Sequence, residues 1–309
     1  MITNKNLHQA KSIKNDEFYT CFETVENELK HYKDSFKGKI VYCNCDGFLN
    51  EKKSNFFVYF SQNYEYLGLK GLICTVRNPN GKGKKYEYYG NHHQNEQEKF
   101  ISDLEGDGDF RSDECIELLK KCDIVCTNPP FSLFREYVAQ LFEYNKQFLI
   151  IGNVNAISYK EIFPLIKENK MWLGVSLSAT KCSFIVNEEY DGKNVYYENG
   201  VKYAKVNNAV WFTNLDHKKR HKELLLYKKY NTEEYPKYDN YDAIEVSHVV
   251  DIPCDYYDCV GVPITFLNKY NPKQFEIIKF RKGDDDKDLC INGKCPYFRI
   301  IIKPIHREN

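Results

Sequence analysis

The sequence predicts an α/β fold built on a doubly wound, mostly parallel sheet, with a smaller region at the C-terminal end. Short apolar runs alternate with amphipathic helical segments across residues 39–169, which is typical of a parallel sheet covered by helices. The 309 residues allow one large domain, or a domain of roughly 150 to 200 residues with an appendage. After about Met171 the chain becomes rich in Tyr, Lys and Asp, which indicates a change of architecture.

The first half of the chain supplies the predicted helices and strands in order. Val25, Leu29 and Tyr32 share one face at helical spacing and predict an opening helix. Apolar runs predict strands at residues 39–44, 71–76, 123–128 and 147–151. Amphipathic spacing predicts helices at residues 55–60, 112–121, 132–144 and 159–169. The Gly-, Lys- and His-rich stretch 78–99 predicts a long excursion containing a hairpin through residues 86–89.

The change in composition along the chain predicts three regions. We expect a flexible N-terminus at residues 1–15, a main domain at 16–212, and a region at 213–309 that completes the fold. Asp191-Gly192 and Asn292-Gly293 are typical of two-residue hairpin turns.

Composition argues against a membrane-spanning protein, and the overall charge gives no support for nucleic-acid binding. No run of 18 apolar residues is present, and residues 1–15 lack the apolar core of a secretion signal. We therefore expect a cytoplasmic protein whose twelve cysteines are reduced thiols. Net charge is zero, with 44 basic and 44 acidic residues. Local basic clusters at residues 82–85 and 217–222 could still form a nucleic-acid surface, although a solvated loop is the simpler interpretation.

The loop Asn128-Pro129-Pro130-Phe131 carries the clearest chemical information. It follows the apolar strand 123–127, and ligands of such sheets bind at the carboxyl ends of strands. The Asn128 side-chain oxygen and the Pro129 carbonyl offer two acceptors for a planar amino group. The two prolines stiffen the loop and lack N–H donors, and the Phe131 ring can cover a flat base. A strand end capped by a proline-rich turn is the structural alternative.

These four residues match the catalytic motif of amino-methyltransferases that use S-adenosylmethionine. Residues 16–20 resemble the cofactor-binding segment that precedes the first strand in one class of DNA adenine methylases. Segments 41–46, 108–112, 128–137 and 261–267 resemble the EcoRI-type adenine-specific modification methylases, with similarity from about Lys14 to Lys303. The resemblance implies a Rossmann-like, S-adenosylmethionine-dependent methyltransferase fold. It also implies methyl transfer to N6 of an adenine flipped out of double-stranded DNA.

The resemblance also implies roles for particular residues. Asn128, Pro129, Pro130 and Phe131 would form the catalytic motif that holds the adenine. The cofactor would be bound by Tyr19, Thr20, Asn44, Asp46, Asp107, Asp109 and Phe110. Asp109 and Phe110 would lie beside the cofactor's adenine, with Asp107 competing for the role of Asp109.

The chain departs from the usual methyltransferase pattern in two places. The first loop has only Gly47 where a Gly-rich loop is common. The second strand runs into Thr75-Val76-Arg77-Asn78 without the acidic residue that grips the cofactor's ribose. The ribose contact is therefore unassigned at this stage.

Recognition of DNA is expected in the C-terminal region. Lys218, Lys219 and Arg220 are predicted to lie near the phosphate backbone. By resemblance alone the target would be similar to GAATTC, with a cognate restriction endonuclease as a companion in the same system. We expect a monomer and no resident metal.

Alternative interpretations stay open from the sequence. Cys254, Cys259, Cys290 and Cys295 form two Cys-x4-Cys pairs that could supply four thiolates to zinc, although zinc spacing is usually tighter. The acidic residues around Asp107 lack the ligand series of a calcium loop. An Asn-Pro-Pro-aromatic loop also serves methyltransferases of RNA bases or of protein glutamine. A catalytically inactive DNA-binding relative is the non-enzymatic alternative.

Overall fold

The computed structural model describes residues 18–45, 54–89, 99–176, 182–186, 188, 190–192, 194–296 and 298–305. Its α-helices are α1 Phe22–Leu29, α2 Lys33–Phe36, α3 Asn55–Gln62, α4 Tyr64–Leu67, α5 Asp113–Lys121, α6 Phe134–Glu143 and α7 Phe163–Lys167. Its strands are β1 Tyr19–Thr20, β2 Ile40–Cys43, β3 Gly71–Val76, β4 Lys84–Tyr88, β5 Lys99–Asp103, β6 Ile124–Thr127, β7 Gln147–Asn153, β8 Trp172–Leu173, β9 Cys182–Ile185, β10 Val195–Glu198, β11 Val201–Val206, β12 Ala209–Thr213, β13 Ile244–Glu245, β14 Val260–Pro263, β15 Phe275–Phe280 and β16 Arg299–Pro304.

The chain divides into two compact units. The first contains the described residues within 1–156 and 174–216, and the second those within 157–173 and 217–309. The second unit therefore takes in residues 157–173, which the sequence boundary at residue 212 assigned to the main domain. No helix among the described residues is long and apolar enough to span a bilayer.

A large mixed sheet forms the centre of the first unit. Its strands there run in the order β5-β4-β3-β2-β6-β7-β12. The middle four strands, β3, β2, β6 and β7, are parallel. Strands β4, β5 and β12 are antiparallel to their neighbours. The sheet is thus mixed rather than mostly parallel, because the short link from β3 to β4 turns the chain back instead of crossing over through a helix.

Burial explains why the parallel strands read as unbroken apolar runs. Every residue of β3 and of β6 is buried, as expected where helices cover both faces of a parallel sheet. Helix α5 begins as predicted, with the Ser112 hydroxyl accepting from the Cys115 amide at 3.3 Å. Acidic residues in its first turn and basic residues in its last turn complement the helix dipole.

Two local predictions are wrong. The helix expected at 159–169 is only α7, Phe163–Lys167, because Pro164 fits the first turn of a helix and disfavours helix before it. Asp191-Gly192 does not close a hairpin, since it lies between β9 and β10, which do not pair with each other. The hairpin turn is Asn199-Gly200, where both residues have positive φ angles of 50° and 75°, as a type I′ turn requires.

A second, antiparallel sheet of the first unit has the order β1-β9-β11-β10. In it Tyr19 pairs with Ile185 and Thr20 pairs with Phe184. The short N-terminal strand is thereby fixed to a distant part of the chain, which sets the position of the residues that precede β2.

The second unit contains the sheet β13-β14-β16-β15. In its core the Arg299 guanidinium donates to the Glu245 carboxylate at 2.7 and 2.9 Å, and the Tyr238 hydroxyl donates to the same carboxylate. All three side chains are buried. The predicted turn at Asn292-Gly293 is confirmed, with φ angles of 49° and 73° inside the bridge between Ile291 and Lys294.

Gly261→Ala is expected to destabilise the second unit. A Cβ at Gly261 would lie 2.1 Å from the Tyr238 hydroxyl oxygen, so the ring would have to leave its bond to Glu245. We expect a loss of about 1–3 kcal/mol in unfolding free energy, as for overpacked cores, measured by urea denaturation. Gly106→Ala is the control, because its Cβ would meet no atom within 4 Å. Equal stability of the two variants would contradict this packing argument.

Candidate active site

The carboxyl ends of the central parallel strands meet at one edge of the large sheet. Asn44 follows β2, and Asn128 follows β6, its direct neighbour. Both side chains are buried, with 3% and 5% of their surface exposed. Parallel sheets bind their ligands at this edge, and the buried amides of Asn44 and Asn128 are polar groups that lie there.

The Asn128 amide is held in one orientation. Its Nδ2 atom donates to the Phe18 carbonyl at 2.6 Å. Because a carbonyl oxygen can only accept, the amide nitrogen must face Phe18 and the side-chain oxygen must face away. That oxygen, Oδ1, is buried and has no hydrogen-bond partner. An unsatisfied buried acceptor is rare in a folded protein, so the protein holds an acceptor ready for a donor from outside.

The rest of the motif continues from β6 into a short helix. Pro129 is buried and Pro130 is half-buried, and the Pro130 carbonyl accepts from the Leu133 amide at 3.0 Å. Phe131 begins a 3₁₀ helix and stays partly exposed. Its ring lies 5.8 Å from the Phe18 ring, tilted by 33°. The loop is therefore braced by the N-terminal segment, and the Phe131 ring remains partly exposed.

The N-terminal segment is itself fixed by aromatic contacts and hydrogen bonds. The Phe18 ring lies 5.7 Å from the rings of both Phe184 and Tyr190. The Asn55 side chain donates to the Thr20 carbonyl at 2.8 Å. Tyr19 and Thr20, two of the predicted cofactor residues, directly follow Phe18 in the chain, and the Phe18 carbonyl holds Asn128. This anchored segment therefore lies beside the Asn-Pro-Pro-Phe loop.

Asn44 and Phe110 are joined through helix α6. The Tyr137 hydroxyl donates to Asn44 Oδ1, and the Tyr137 ring lies 5.0 Å from the Phe110 ring in an edge-to-face arrangement. Gln140 of the same helix donates to the Phe110 carbonyl at 3.2 Å. Burial raises the pKa of Tyr137 well above its usual value, so its hydroxyl remains a donor. Tyr137 and Gln140 were not identified as site residues from the sequence. The available signal was their spacing of three residues, which places them on one face of the helix that follows the motif.

The acidic loop 107–109 lies at the end of β3. The Asn78 amide donates to the Asp107 carbonyl at 2.8 Å, and a Cβ at Gly108, whose φ is 84°, would lie 2.8 Å from the Val76 carbonyl oxygen. The end of β3 has no acidic residue of its own. The loop 107–109 places two carboxylates there, those of Asp107 and Asp109.

The two carboxylates differ in how many hydrogen bonds they accept from arginines. Arg111 donates to Asp109 through its backbone amide at 3.0 Å and through its guanidinium at 2.8 Å to each oxygen. These bonds lower the pKa of Asp109. Arg77 donates to Asp107 at 3.1 Å and also lies 3.6 Å from Asp109. Asp107 is the more exposed carboxylate, at 35% of its side chain against 16% for Asp109. Most acceptor positions of Asp109 are already filled.

A buried carboxylate outside the predicted site organises the same unit. Glu28 of α1 is fully buried and accepts from Tyr32 Oη at 2.7 Å, from the Val175 amide at 2.7 Å, and from the Ser176 amide and hydroxyl at 2.6 and 2.5 Å. The carboxylate thereby joins α1 to the segment that follows β8 in the chain. Glu28 was not identified from the sequence. An acidic residue in an amphipathic helix is normally exposed, so the pattern gives no sign that this one is buried.

The predicted DNA-contacting residues belong to the second unit and differ in their surroundings. Lys218 is exposed and Lys219 is half-buried. The Arg220 guanidinium lies 3.6 Å from the centre of the Trp172 ring and donates to Asn169 at 2.7 Å. Arg220 is therefore engaged in packing within its own unit, and Lys218 is the most exposed of the three residues. Asp46 and Gly47 lie outside the described residues.

The cysteines differ from expectation. Cys290 and Cys295 form a disulfide across the Asn292-Gly293 turn, so the expectation that all cysteines are reduced is wrong. The zinc alternative also fails, because two of its four thiolates are bonded to each other. Cys254 and Cys259 are free thiols, and no group of potential metal ligands is found among the described residues.

A stiff Asn-Pro-Pro-Phe loop with an unsatisfied buried acceptor is the arrangement expected of enzymes that methylate exocyclic amines. Comparison with known proteins agrees. The model of the family described as "Adenine-specific methyltransferase EcoRI" matches residues 6–304, and the chain belongs to this family.

Curated relatives match over almost the whole chain. Identity is 56% over 318 residues to the type II methyltransferase M.EcoRI of Escherichia coli, which covers 97% of each chain. It is 42% over 327 residues to M.MpnI of Mycoplasma pneumoniae, covering 98% of each. It is 39% over 326 residues to M.MgeORF184P of Mycoplasma genitalium, covering 96% and 98%. No solved structure matches the chain significantly.

Proposed function

We propose that this adenine-specific methyltransferase transfers a methyl group from S-adenosylmethionine to N6 of an adenine flipped out of double-stranded DNA. The relatives are named type II methyltransferases, which supports a site-specific enzyme that modifies DNA. The large mixed α/β sheet with helices on it supports a Rossmann-like fold for the catalytic part. The C-terminal unit is proposed to read the target.

The buried, unpartnered Oδ1 of Asn128 is the observation that carries the proposal. An adenine amino group offers two N–H donors in one plane. Asn128 Oδ1 accepts one and the Pro129 carbonyl accepts the other, which turns the nitrogen lone pair out of the amino plane. Phe131, which is partly exposed, stacks on the base. Each acceptor is neutral, so both orient the amine without removing its proton.

The residues at the sheet edge fit the cofactor. When bound, S-adenosylmethionine supplies an electrophilic methyl group on a sulfonium. Tyr19, Thr20, Asn44 and Phe110 are the proposed binding residues in the described part of the chain, and Asp46 is a proposal from sequence alone. Positioning of amine and methyl donor supplies most of the rate, because well-oriented reactants gain roughly 7–11 kcal/mol.

The acidic loop supplies the ribose contact that the sequence left unassigned. Asp107 lies at the end of β3 with over a third of its side chain exposed, whereas Asp109 is largely occupied by Arg111. We therefore assign Asp107 to the ribose hydroxyls and Asp109 to holding the loop. A carboxylate accepts two hydroxyl hydrogen bonds readily.

Labelled methyl transfer tests the proposed function. Purified protein with methyl-labelled S-adenosylmethionine is expected to label duplex DNA, and not RNA or bacterial protein. Labelling of RNA or of protein glutamine instead would favour those methyltransferase classes. If calorimetry detected no cofactor binding while DNA still bound, the chain would be a binding protein only.

Lys218→Ala and Lys219→Ala are expected to weaken DNA binding uniformly across sequences. Each lost phosphate contact should reduce the slope of log affinity against log salt by about one unit, measured by fluorescence anisotropy at several salt concentrations. Lys160→Ala is the control, since this lysine is 88% exposed in the same unit but lies outside the basic cluster. Identical salt slopes for all three variants and the wild type would rule out this interface.

The biological setting follows from the same proposal. A modification enzyme of this class protects the DNA of its host cell from cleavage. From the resemblance we therefore propose a cognate restriction endonuclease and a target similar to GAATTC. A monomer is proposed, because one enzyme molecule can present a single catalytic edge to each flipped adenine.

A further inference from the structure

Two adjacent residues at the end of β6 carry unsatisfied polar atoms. The hydroxyl of Thr127, like Oδ1 of Asn128, is buried and has no hydrogen-bond partner. Thr127 is fully buried. A buried polar group without a partner destabilises the folded protein, and a valine of the same shape would avoid that loss. The Thr127 hydroxyl therefore lowers the stability of the protein unless another molecule forms a hydrogen bond with it.

The sheet geometry shows which face Thr127 occupies. Ile124 and Cys126 of β6 belong to the hydrophobic core on one face of the sheet. Side chains alternate along a strand, so Val125 and Thr127 occupy the opposite face. The Thr127 hydroxyl is thus directed away from the main aromatic core of the first unit.

The neighbouring strand places a predicted cofactor residue on that same face. Strand β2 pairs with β6 through Val41 and Ile124, and through Tyr42 and Val125. Continuing this register by two residues brings Asn44 beside Thr127. Tyr137, the donor to Asn44, lies on this face as well. Thr127 therefore belongs to the cluster of Asn44 and Tyr137 and not to the Phe18 side, where Asn128 is anchored.

We infer that Thr127 is a further cofactor-binding residue, whose hydroxyl bonds a polar atom of S-adenosylmethionine in its methionine or ribose part. The inference rests on the proposed function. Consecutive Cα atoms are about 3.8 Å apart, so Thr127 lies within a few ångströms of the place where Asn128 holds the amine and the sulfonium must approach. The adenine end of the cofactor is farther from the sulfonium and is not the partner.

Alternation also separates the partner of Thr127 from the target base. The Asn128 side chain leaves β6 on the face where its Nδ2 atom is anchored to Phe18, whereas the Thr127 side chain leaves on the other face. We therefore assign the two unsatisfied atoms to different molecules. Burial does not argue against ligand contact, because Asn128 is 95% buried in the same closed edge and must contact the base.

Thr127→Val removes the hydroxyl and keeps the shape of the side chain. We expect S-adenosylmethionine and S-adenosylhomocysteine to bind this variant about 5- to 20-fold more weakly, as for loss of one or two hydrogen bonds, measured by calorimetry. The cofactor-free variant should melt at the same temperature as the wild type or higher, because an unpaired buried hydroxyl is removed. Affinity for DNA without cofactor should not change.

Thr213→Val is the matched control. Thr213 is equally buried, but its hydroxyl donates to the Phe148 carbonyl at 2.6 Å and accepts from the Leu215 amide at 3.0 Å. This variant should melt at a lower temperature and bind the cofactor as the wild type does. Thr127→Ser, which keeps the hydroxyl, should retain affinity, and Thr127→Ala should lose it, so the comparison holds even if the valine variant fails to fold.

The outcomes distinguish the inference from the proposed function. If the wild type binds cofactor and Thr127→Val or Thr127→Ala binds it equally well, Thr127 does not contact the cofactor and only this inference is overturned. A lower melting temperature of cofactor-free Thr127→Val with unchanged cofactor affinity would also overturn it, by showing a structural role. If the wild type itself binds no cofactor, both the proposed function and the inference fail.

Discussion

Asn128→Ala is expected to lower the rate of methyl transfer by at least about a thousandfold while the protein stays folded. The change removes the acceptor that fixes the amino group beside the methyl donor. Loss of a single preorganised hydrogen-bonding group at a reacting centre typically costs 10²–10³ in rate, and here the loss of orientation adds to it. Single-turnover transfer of labelled methyl to duplex DNA measures the effect.

Asn27→Ala on α1 serves as the control for this variant. Asn27 is exposed and its side chain only accepts from Lys30 at 2.9 Å, so its loss should leave the rate unchanged. Circular dichroism and DNA affinity of Asn128→Ala should equal those of the wild type. An active Asn128→Ala enzyme would show that the motif is a structural turn and not the amine-binding site.

Glu28→Ala is expected to cost at least about 3 kcal/mol of unfolding free energy, because each buried donor that loses its acceptor costs about 1–3 kcal/mol. The substitution leaves Tyr32 Oη, the amides of Val175 and Ser176, and the Ser176 hydroxyl without their shared acceptor. It also opens a cavity between α1 and the segment at 174–176. Chemical denaturation, monitored by tryptophan fluorescence, measures the change, because Trp211 packs against Gly174 beside this network.

Glu26→Ala is the matched control on the same helix. Glu26 is exposed, and exposed substitutions usually change stability by no more than about 0.5 kcal/mol. Similar losses for Glu26→Ala and Glu28→Ala would mean that removal of a carboxylate from α1, wherever it lies, and not the buried network causes the effect. A stable Glu28→Ala protein would contradict the network outright.

Local patterns in the sequence account for most elements of the first unit. Helix α5 follows from Ser112 as cap and from Cys115, Leu118 and Leu119 as the inward face, all of which are buried. Strand β6 and its Asn-Pro-Pro-Phe loop follow from an apolar run and a proline pair. These features are determined by residues close together in sequence, so the sequence predicts them well.

Features that depend on distant residues were not predictable in this way. Glu28 bonds groups 147 and 148 residues away, and Asp107 reaches the end of β3 from a segment 30 residues beyond Arg77. Arg220 resembles a free cation in the sequence but stacks on Trp172. In each case charge and hydropathy describe the side chain alone, whereas its role depends on which partner the fold brings near.

The orientation of the Asn128 amide links the fold to the proposed chemistry. The sequence indicates an acceptor at the end of a strand, and the structure adds that Phe18 holds the amide nitrogen and leaves Oδ1 unsatisfied. Residues 18–20 therefore support the proposed catalytic site through the Phe18 carbonyl as well as through proposed cofactor contacts. The roles of Tyr19, Thr20 and Asp107 remain proposals that cofactor titrations of their variants can test.

Identification of the methylated nucleoside tests the central claim most directly. Unmodified duplex DNA is incubated with the purified protein and S-adenosylmethionine, digested to nucleosides and separated by liquid chromatography with mass detection. N6-methyladenine should appear with the wild type and be absent with Asn128→Ala. A methylated cytosine, or no methylated nucleoside from a protein that binds both DNA and cofactor, would contradict transfer to adenine N6 by this site.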